Sequence, residues 1–198
     1  MIRDFQVADL LTLANGFSGM AAVLLALRYV GQADRAALWV AFGLLPVAFV
    51  FDSLDGFVAR RLGRASPLGQ ELDSLADLVS FGVAPAVLAF ALGMDGGWDG
   101  AVLVYFVGCG IGRLARFNTT AAALSGPKGK VAFFEGTPIP SSLLLVVVLA
   151  ALYGTGNVGA ELPLRVLTIG PWRLHPLVLL WALSGSAMIS KTLRIPKP

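Results

Sequence analysis

FDSLDGFVARRLGRASPLGQELDSLADLVSFG, residues 51–82, sets four aspartates, Asp52, Asp55, Asp73 and Asp77, beside two of the longest apolar segments of the chain. Charge is scarce elsewhere, so four carboxylates here need a physical reason. Residues three or four apart share a helix face, so Asp52 and Asp55 point the same way near the end of one helix, and Asp73 and Asp77 do so at the start of the next. The connection between them carries Gly63, Pro67 and Gly69, which favour a tight reversal. The two carboxylate pairs can then face each other across an antiparallel helix hairpin.

Working outward, the chain has 198 residues, 57% hydrophobic and 14% charged, with a mean hydropathy of +0.78. Those values lie outside the range of soluble domains and predict an all-α integral membrane protein. Six transmembrane helices can be drawn, at 8–29, 37–60, 70–92, 99–118, 138–154 and 172–191. They account for residues 1–198 as a single membrane domain with no room for a second folded unit. The first apolar run, Leu10 to Val30, is too long for a signal h-region and is read as the first span. The preceding MIRDFQVADLL alternates charged residues with Ile2, Phe5, Val7 and Leu10, a pattern that suits a short juxtamembrane helix along the interface.

The net charge of +3 would suggest a nucleic-acid partner in a soluble protein. Here the basic residues sit at the ends of apolar runs and read as topology signals, so no nucleic acid is implied. Arg3, Arg60, Arg61, Arg64, Arg113, Arg116, Lys128, Lys130, Lys191, Arg194 and Lys197 fall on one side, and Arg28, Arg35, Arg165 and Arg173 on the other. That asymmetry puts both termini and the aspartate cluster on the cytoplasmic side of the cytoplasmic membrane. Cys109 is the only cysteine, which excludes an intrachain disulfide or a cysteine metal site.

Carboxylates gathered at the edge of a low-dielectric slab repel one another unless cations neutralise them. An oxygen-only ligand set, with no histidine or cysteine nearby, favours a hard divalent ion, Mg²⁺ or Mn²⁺, over zinc. Four aspartates suffice for two such cations, an arrangement suited to phosphoryl transfer. Gly56 and Ala59 leave the helix surface bare beside Asp52 and Asp55, where a phosphate-bearing ligand can approach the backbone, and Arg60 offers a fork for phosphate oxygens. A divalent-cation transporter would also need intramembrane carboxylates, but it has no use for an arginine beside its ligands.

Asp52-x-x-Asp55-Gly56-x-x-Ala59-Arg60, eight residues, Gly69-x-x-x-Asp73-x-x-x-Asp77 resembles the signature of the CDP-alcohol phosphotransferases at every fixed position. The resemblance implies a homodimer of six-helix subunits that uses two divalent ions to displace CMP from a CDP-linked lipid by an alcohol. On the matching positions it implies that Asp52, Asp55, Asp73 and Asp77 hold the metals and that Asp77 is the base for the acceptor hydroxyl. It further implies that Asp52, Gly56, Ala59, Arg60 and Gly69 contact the CDP moiety.

The run from Glu71 to Ala86, Arg113-Leu-Ala-Arg116-Phe-Asn118, and Gly136-Thr-Pro-Ile-Pro140 are similar to stretches of the serine-using, membrane-embedded branch of that family. Thr137 stands where the resembled stretch has leucine. This similarity covers roughly residues 8–145 and implies CDP-diacylglycerol and L-serine as substrates, with inositol phosphate, glycerol phosphate or choline as alternative acceptors. Arg113 and Arg116, three apart on one helix face, suit a carboxylate, and Asn118 suits an amine or hydroxyl.

Other polar residues are less specific. Thr12 and Asn15 share a face near the cytoplasmic end of the first span and either bind substrate or form an interhelical hydrogen bond. Lys128 and Lys130 are possible contacts for an anionic lipid head or a phosphate. His175, the only histidine, falls on the side opposite the aspartates and is not expected to take part in the chemistry.

Overall fold

The structure is a computed structural model and describes residues 7–62, 67–124, 133–192 and 194–196. The helices are α1 (Val7–Gln32), α2 (Arg35–Leu62), α3 (Pro67–Asp77), α4 (Ala84–Ala91), α5 (Gly97–Leu124), α6 (Leu143–Gly154) and α7 (Leu179–Ile189). A π-helical segment, Leu78–Val83, joins α3 to α4 without a break, and short 3₁₀ turns lead into α6 and α7. Two small antiparallel sheets complete the fold, β1 (Phe133–Glu135) with β4 (Arg194–Pro196) and β2 (Leu167–Ile169) with β3 (Trp172–Leu174).

Four stretches are long and apolar enough to cross a bilayer: Ala8–Gln32, Arg35–Ala59, Leu68–Ala91 and Gly97–Thr119. The chain is an integral membrane protein on that ground. Two further apolar helices, Ile139–Gly154 and Pro176–Ile189, are shorter. The expected sixth span does not begin at residue 172. Residues 172–174 are β3, because His175 before Pro176 is held extended, and the helical path starts only after that proline. The expected juxtamembrane helix falls largely on residues 1–6, outside the described residues, and from Val7 onward the chain is already α1.

Sequence chemistry explains the joints. Asp34 accepts a hydrogen bond from the Ala37 amide (3.1 Å) at the start of α2 and pairs with Arg28 of α1 (2.8 Å), which fixes the turn between the first two spans. Pro67 opens α3, where its missing N–H is not needed. Gly93, at φ +110°, passes so close to Gly159 that a Cβ would lie 2.5 Å from the Gly159 Cα. Gly159 in turn donates to the Leu92 carbonyl (2.8 Å).

Small residues let the helices approach. Ala22 and Ala26 of α1 and Leu38, Ala41 and Leu45 of α2 are fully buried in a core that continues through Phe81, Leu88, Phe106, Ile139 and Trp181. The closest approach to the third span is at Gly19, where an added Cβ would collide with Cα and Oγ of Ser80. Gly43 of α2, by contrast, faces open space. Gly19→Ala is therefore expected to lower stability by about 1–3 kcal/mol, while Gly43→Ala is neutral or slightly stabilising. Thermal unfolding of both variants in detergent checks this, and equal behaviour would contradict the close packing of α1 on the third span.

Candidate active site

The site forms where the C-terminal part of α2, the C-terminal half of α3 and the first turns of α1 meet. Asp52 and Asp55 come from α2, and Asp73 and Asp77 from α3. Asp52, Asp55 and Asp73 each offer a carboxylate oxygen, and those atoms all lie within 4.8 Å of one another. Asp77 is near enough for its charge to interact with all three. The facing carboxylate pairs expected from the spacing are thus present.

α1 supplies the hydrogen-bond donors. Thr12 Oγ1 donates to Asp55 Oδ2 (2.6 Å), and Asn15 Nδ2 donates to Asp77 Oδ1 (3.0 Å). Both residues therefore make the interhelical bond that was one of their two expected roles. Their placement depends on Ser80, whose Oγ donates to the Asn15 carbonyl (2.9 Å) across the contact with Gly19.

Asp77 is followed at once by the π-helical segment. A π turn spaces its hydrogen bonds i→i+5 and so re-aims the side chains around it. Ser142 Oγ donates to the Phe81 carbonyl within that segment (2.6 Å), and Ser142 is fully buried. None of Gly19, Ser80 and Ser142 stood out in the sequence as functional. Gly16 and Gly19, three apart just after Asn15, were a usable signal for close packing there.

The residues fit a divalent cation. The donor set is all oxygen, and among the described residues none of the four aspartates has a salt-bridge partner. Asp73 Oδ1 is buried without a hydrogen-bond partner, as is Asn15 Oδ1. A buried carboxylate oxygen left unpaired is unfavourable unless a positive charge completes it. Asp52, Asp55 and Asp73 could hold such an ion, with Asp77 beside them.

The remaining expected residues are distributed as follows. Gly56 and Ala59 lie on α2 beyond Asp55, both partly buried, and Gly69 lies in the first turn of α3. The Arg60 side chain, Lys128 and Lys130 lie outside the described residues. Arg113 Nε donates to the Thr137 carbonyl (2.8 Å), and the guanidinium is near enough to Asp77 for their charges to interact. Arg116 instead donates to the Ile189 carbonyl at the end of α7 (3.1 Å). Asn118 accepts from Ser74 Oγ (3.1 Å) and donates to Glu71 (3.3 Å), both on α3. Arg113 thus lies within electrostatic range of Asp77, whereas Arg116 and Asn118 tie α5 to its neighbours.

A cluster of carboxylates from two membrane helices, able to hold a cation, is the class of site defined here. The model of the CDP-alcohol phosphatidyltransferase family matches residues 5–184, and the chain belongs to that family. The match reaches well into the last quarter of the chain, beyond the residue 145 to which the sequence similarity had been traced. Among individual proteins, the chain is similar to the CDP-diacylglycerol–serine O-phosphatidyltransferase of Saccharomyces cerevisiae. The two are 43% identical over 201 residues, taking in all of this chain and 73% of the yeast protein. The enzyme of the same name from Mycobacterium leprae is 45% identical over 122 residues, covering 59% of this chain and 40% of that protein. The archaetidylserine synthase of Methanothermobacter thermautotrophicus is 38% identical over 151 residues, covering 75% and 58%.

A cation that binds the folded chain alone stabilises it by RT ln(1 + [L]/Kd), about 2.7 kcal/mol at a hundredfold excess over Kd. Adding Mg²⁺ or Mn²⁺ to metal-free protein should therefore raise the unfolding temperature, and Asp73→Asn should remove most of that rise. In chelator the same variant should be at least as stable as the parent, since it relieves like-charge repulsion. A rise undiminished in Asp73→Asn would exclude this residue as a ligand.

Proposed function

We propose that this chain transfers the phosphatidyl group of CDP-diacylglycerol to L-serine, giving phosphatidylserine and CMP, as one step of phospholipid biosynthesis. The observation that carries the reading is the cluster of Asp52, Asp55 and Asp73, with Asp77 close by, in a chain of this family. The names of the relatives supply the donor and the acceptor.

Asp52, Asp55, Asp73 and Asp77 would hold two Mg²⁺ or Mn²⁺ ions. When bound, such ions neutralise charge on the diphosphate and polarise its phosphorus–oxygen bonds. Asp52, Gly56, Ala59 and Arg60 of α2 and Gly69 of α3 are assigned to the CDP moiety. Asn15 occupies one oxygen of Asp77, which leaves Oδ2 to take the proton of the serine hydroxyl. The serine oxygen attacks the phosphorus that bears the diacylglycerol, the bond from that phosphorus to the bridging oxygen breaks, and CMP leaves with the oxygen. Arg113, anchored through Nε on the Thr137 carbonyl, is assigned to the serine carboxylate. Arg116 and Asn118 hold α5 in place for it, and Lys128 and Lys130 are assigned to phosphate or lipid headgroups.

The shorter apolar helices Ile139–Gly154 and Pro176–Ile189 complete six spans in this reading. Residues 1–198 then form one membrane domain with both termini and the aspartates on the cytoplasmic side of the cytoplasmic membrane, and two copies form a homodimer. The charge asymmetry supports the orientation.

An acceptor screen scored by CMP release from CDP-diacylglycerol tests the assignment. Release is expected with serine and a divalent cation together, and with neither alone. Release with inositol phosphate, glycerol phosphate or choline in place of serine would overturn the acceptor and leave the reaction class intact. For Asp77→Asn, turnover should fall by about 10²–10⁴-fold while the CDP-lipid still binds. Unchanged turnover would remove Asp77 as the base.

A further inference from the structure

At the far end of α5 from Arg113, β2 and β3 form a hairpin whose two faces differ. Ile169 pairs with Trp172 and Leu167 with Leu174, which puts these four apolar side chains on one face. Thr168 and Arg173 pair on the other. Gly170, at φ +63°, takes the first of the two turn positions, as a type II′ hairpin requires. Leu167, Ile169 and Trp172 remain about half exposed, at 49%, 48% and 49%. Water-facing hairpins present the opposite pattern, with polar side chains on the open face.

The hairpin is tied to the first turn of a membrane span. Trp98, the second residue of the Gly97–Thr119 span, donates its indole N–H to the Ile169 carbonyl (3.0 Å). Its ring meets that of Trp172 edge-on, with centroids 5.3 Å apart. Gly97 lies directly under Trp172, where a Cβ would sit 2.6 Å from the ring. The face that carries Trp172 is therefore the one turned toward the span, and part of it stays uncovered beside the first turn of α5.

A second clasp fixes the hairpin's exit. Asp99 is wholly buried and accepts from the Gly96 amide (2.9 Å) and the His175 amide (2.8 Å), while its Oδ2 lies 2.5 Å from His175 Nδ1. Arg173, on the opposite face, pairs with Asp95 (3.2 Å) away from the apolar surface. The hairpin thus cannot turn its apolar face into water without breaking several hydrogen bonds.

We infer that the β2–β3 hairpin is an interfacial anchor that lays Leu167, Ile169 and Trp172 into the headgroup–acyl boundary of the leaflet opposite the aspartate site. Its partner is the lipid surface itself. The two tryptophans are the residue type that concentrates at that depth, with an apolar ring and a polar N–H. Burial of this face holds the N-terminus of α5 at a fixed depth, and α5 is the helix that delivers Arg113 about 22 Å away at 1.5 Å per residue. None of this depends on which acceptor the enzyme uses.

The test uses the full chain in phosphatidylcholine nanodiscs, with Cys109→Ala as background and single cysteines carrying an environment-sensitive fluorophore. Labels on Ile169→Cys and Leu167→Cys should be quenched by lipid bearing a nitroxide near the headgroup at least about threefold more than a label on Thr168→Cys. The Thr168→Cys label should instead be quenched by aqueous iodide. Having two positions on the apolar face guards against one variant that misfolds, and CMP release by each preparation reports its fold. Iodide quenching of all three labels alike would overturn the anchor. So would labels on the apolar face shielded from both quenchers, which would mean that protein, such as a second copy of the chain, covers that face.

Discussion

Like charge held in a poor dielectric is the constraint that the rest of this fold answers to. Carboxylate oxygens within 4.8 Å of one another repel by about 3 kcal/mol per pair at an effective dielectric of about 20. Thr12 and Asn15 each return a hydrogen bond to an aspartate, of about 1.5–3 kcal/mol when the acceptor is charged. Two such bonds, one to Asp55 and one to Asp77, offset only part of the repulsion among the four aspartates. The donors thus fix the geometry of the carboxylates without neutralising them, and the cluster could accept a cation.

Holding those donors in register explains features that have no chemistry of their own. Asn15 reaches Asp77 only if α1 lies against the third span, and Gly19 makes that contact by having no side chain to meet Ser80. The π segment beginning at Leu78 frees the Phe81 carbonyl to accept from Ser142, so the turn after Asp77 is braced from the loop that leads into α6. Arg113 is braced from the same loop through the Thr137 carbonyl. The segment around Thr137–Ser142 thus supports both the turn that follows Asp77 and Arg113.

What could be read from residues alone follows the same division. The aspartate pairs and the helical spans were legible because charge in an apolar run and hydrophobic length are local signals. Thr12 and Asn15 were legible as a polar face, although not which of two roles they serve. The π segment left no trace, since Leu78–Val83 is apolar in either helical form. The β2–β3 hairpin was masked in part for a similar reason: Leu-Thr-Ile and Trp-Arg-Leu raise the hydropathy of the region, and Trp172 was absorbed into a sixth span. Arg116 looked identical to Arg113 by spacing, and only the packing of α7 against α5 separates their partners.

Asp99 makes the meaning of the cluster clearer by contrast. It is more deeply buried than Asp55 or Asp77, yet two backbone amides and a histidine nitrogen surround its carboxylate. A carboxylate satisfied in that way is a structural fastener, and it closes the hairpin onto α5. Asp73 has an oxygen equally hidden from water with no donor among the described residues. Burial is common to both residues, so burial does not mark function in this protein. The distinction lies in whether the hydrogen bonding is complete: at Asp99 it is, and at Asp73, among the described residues, one oxygen is left for a further partner.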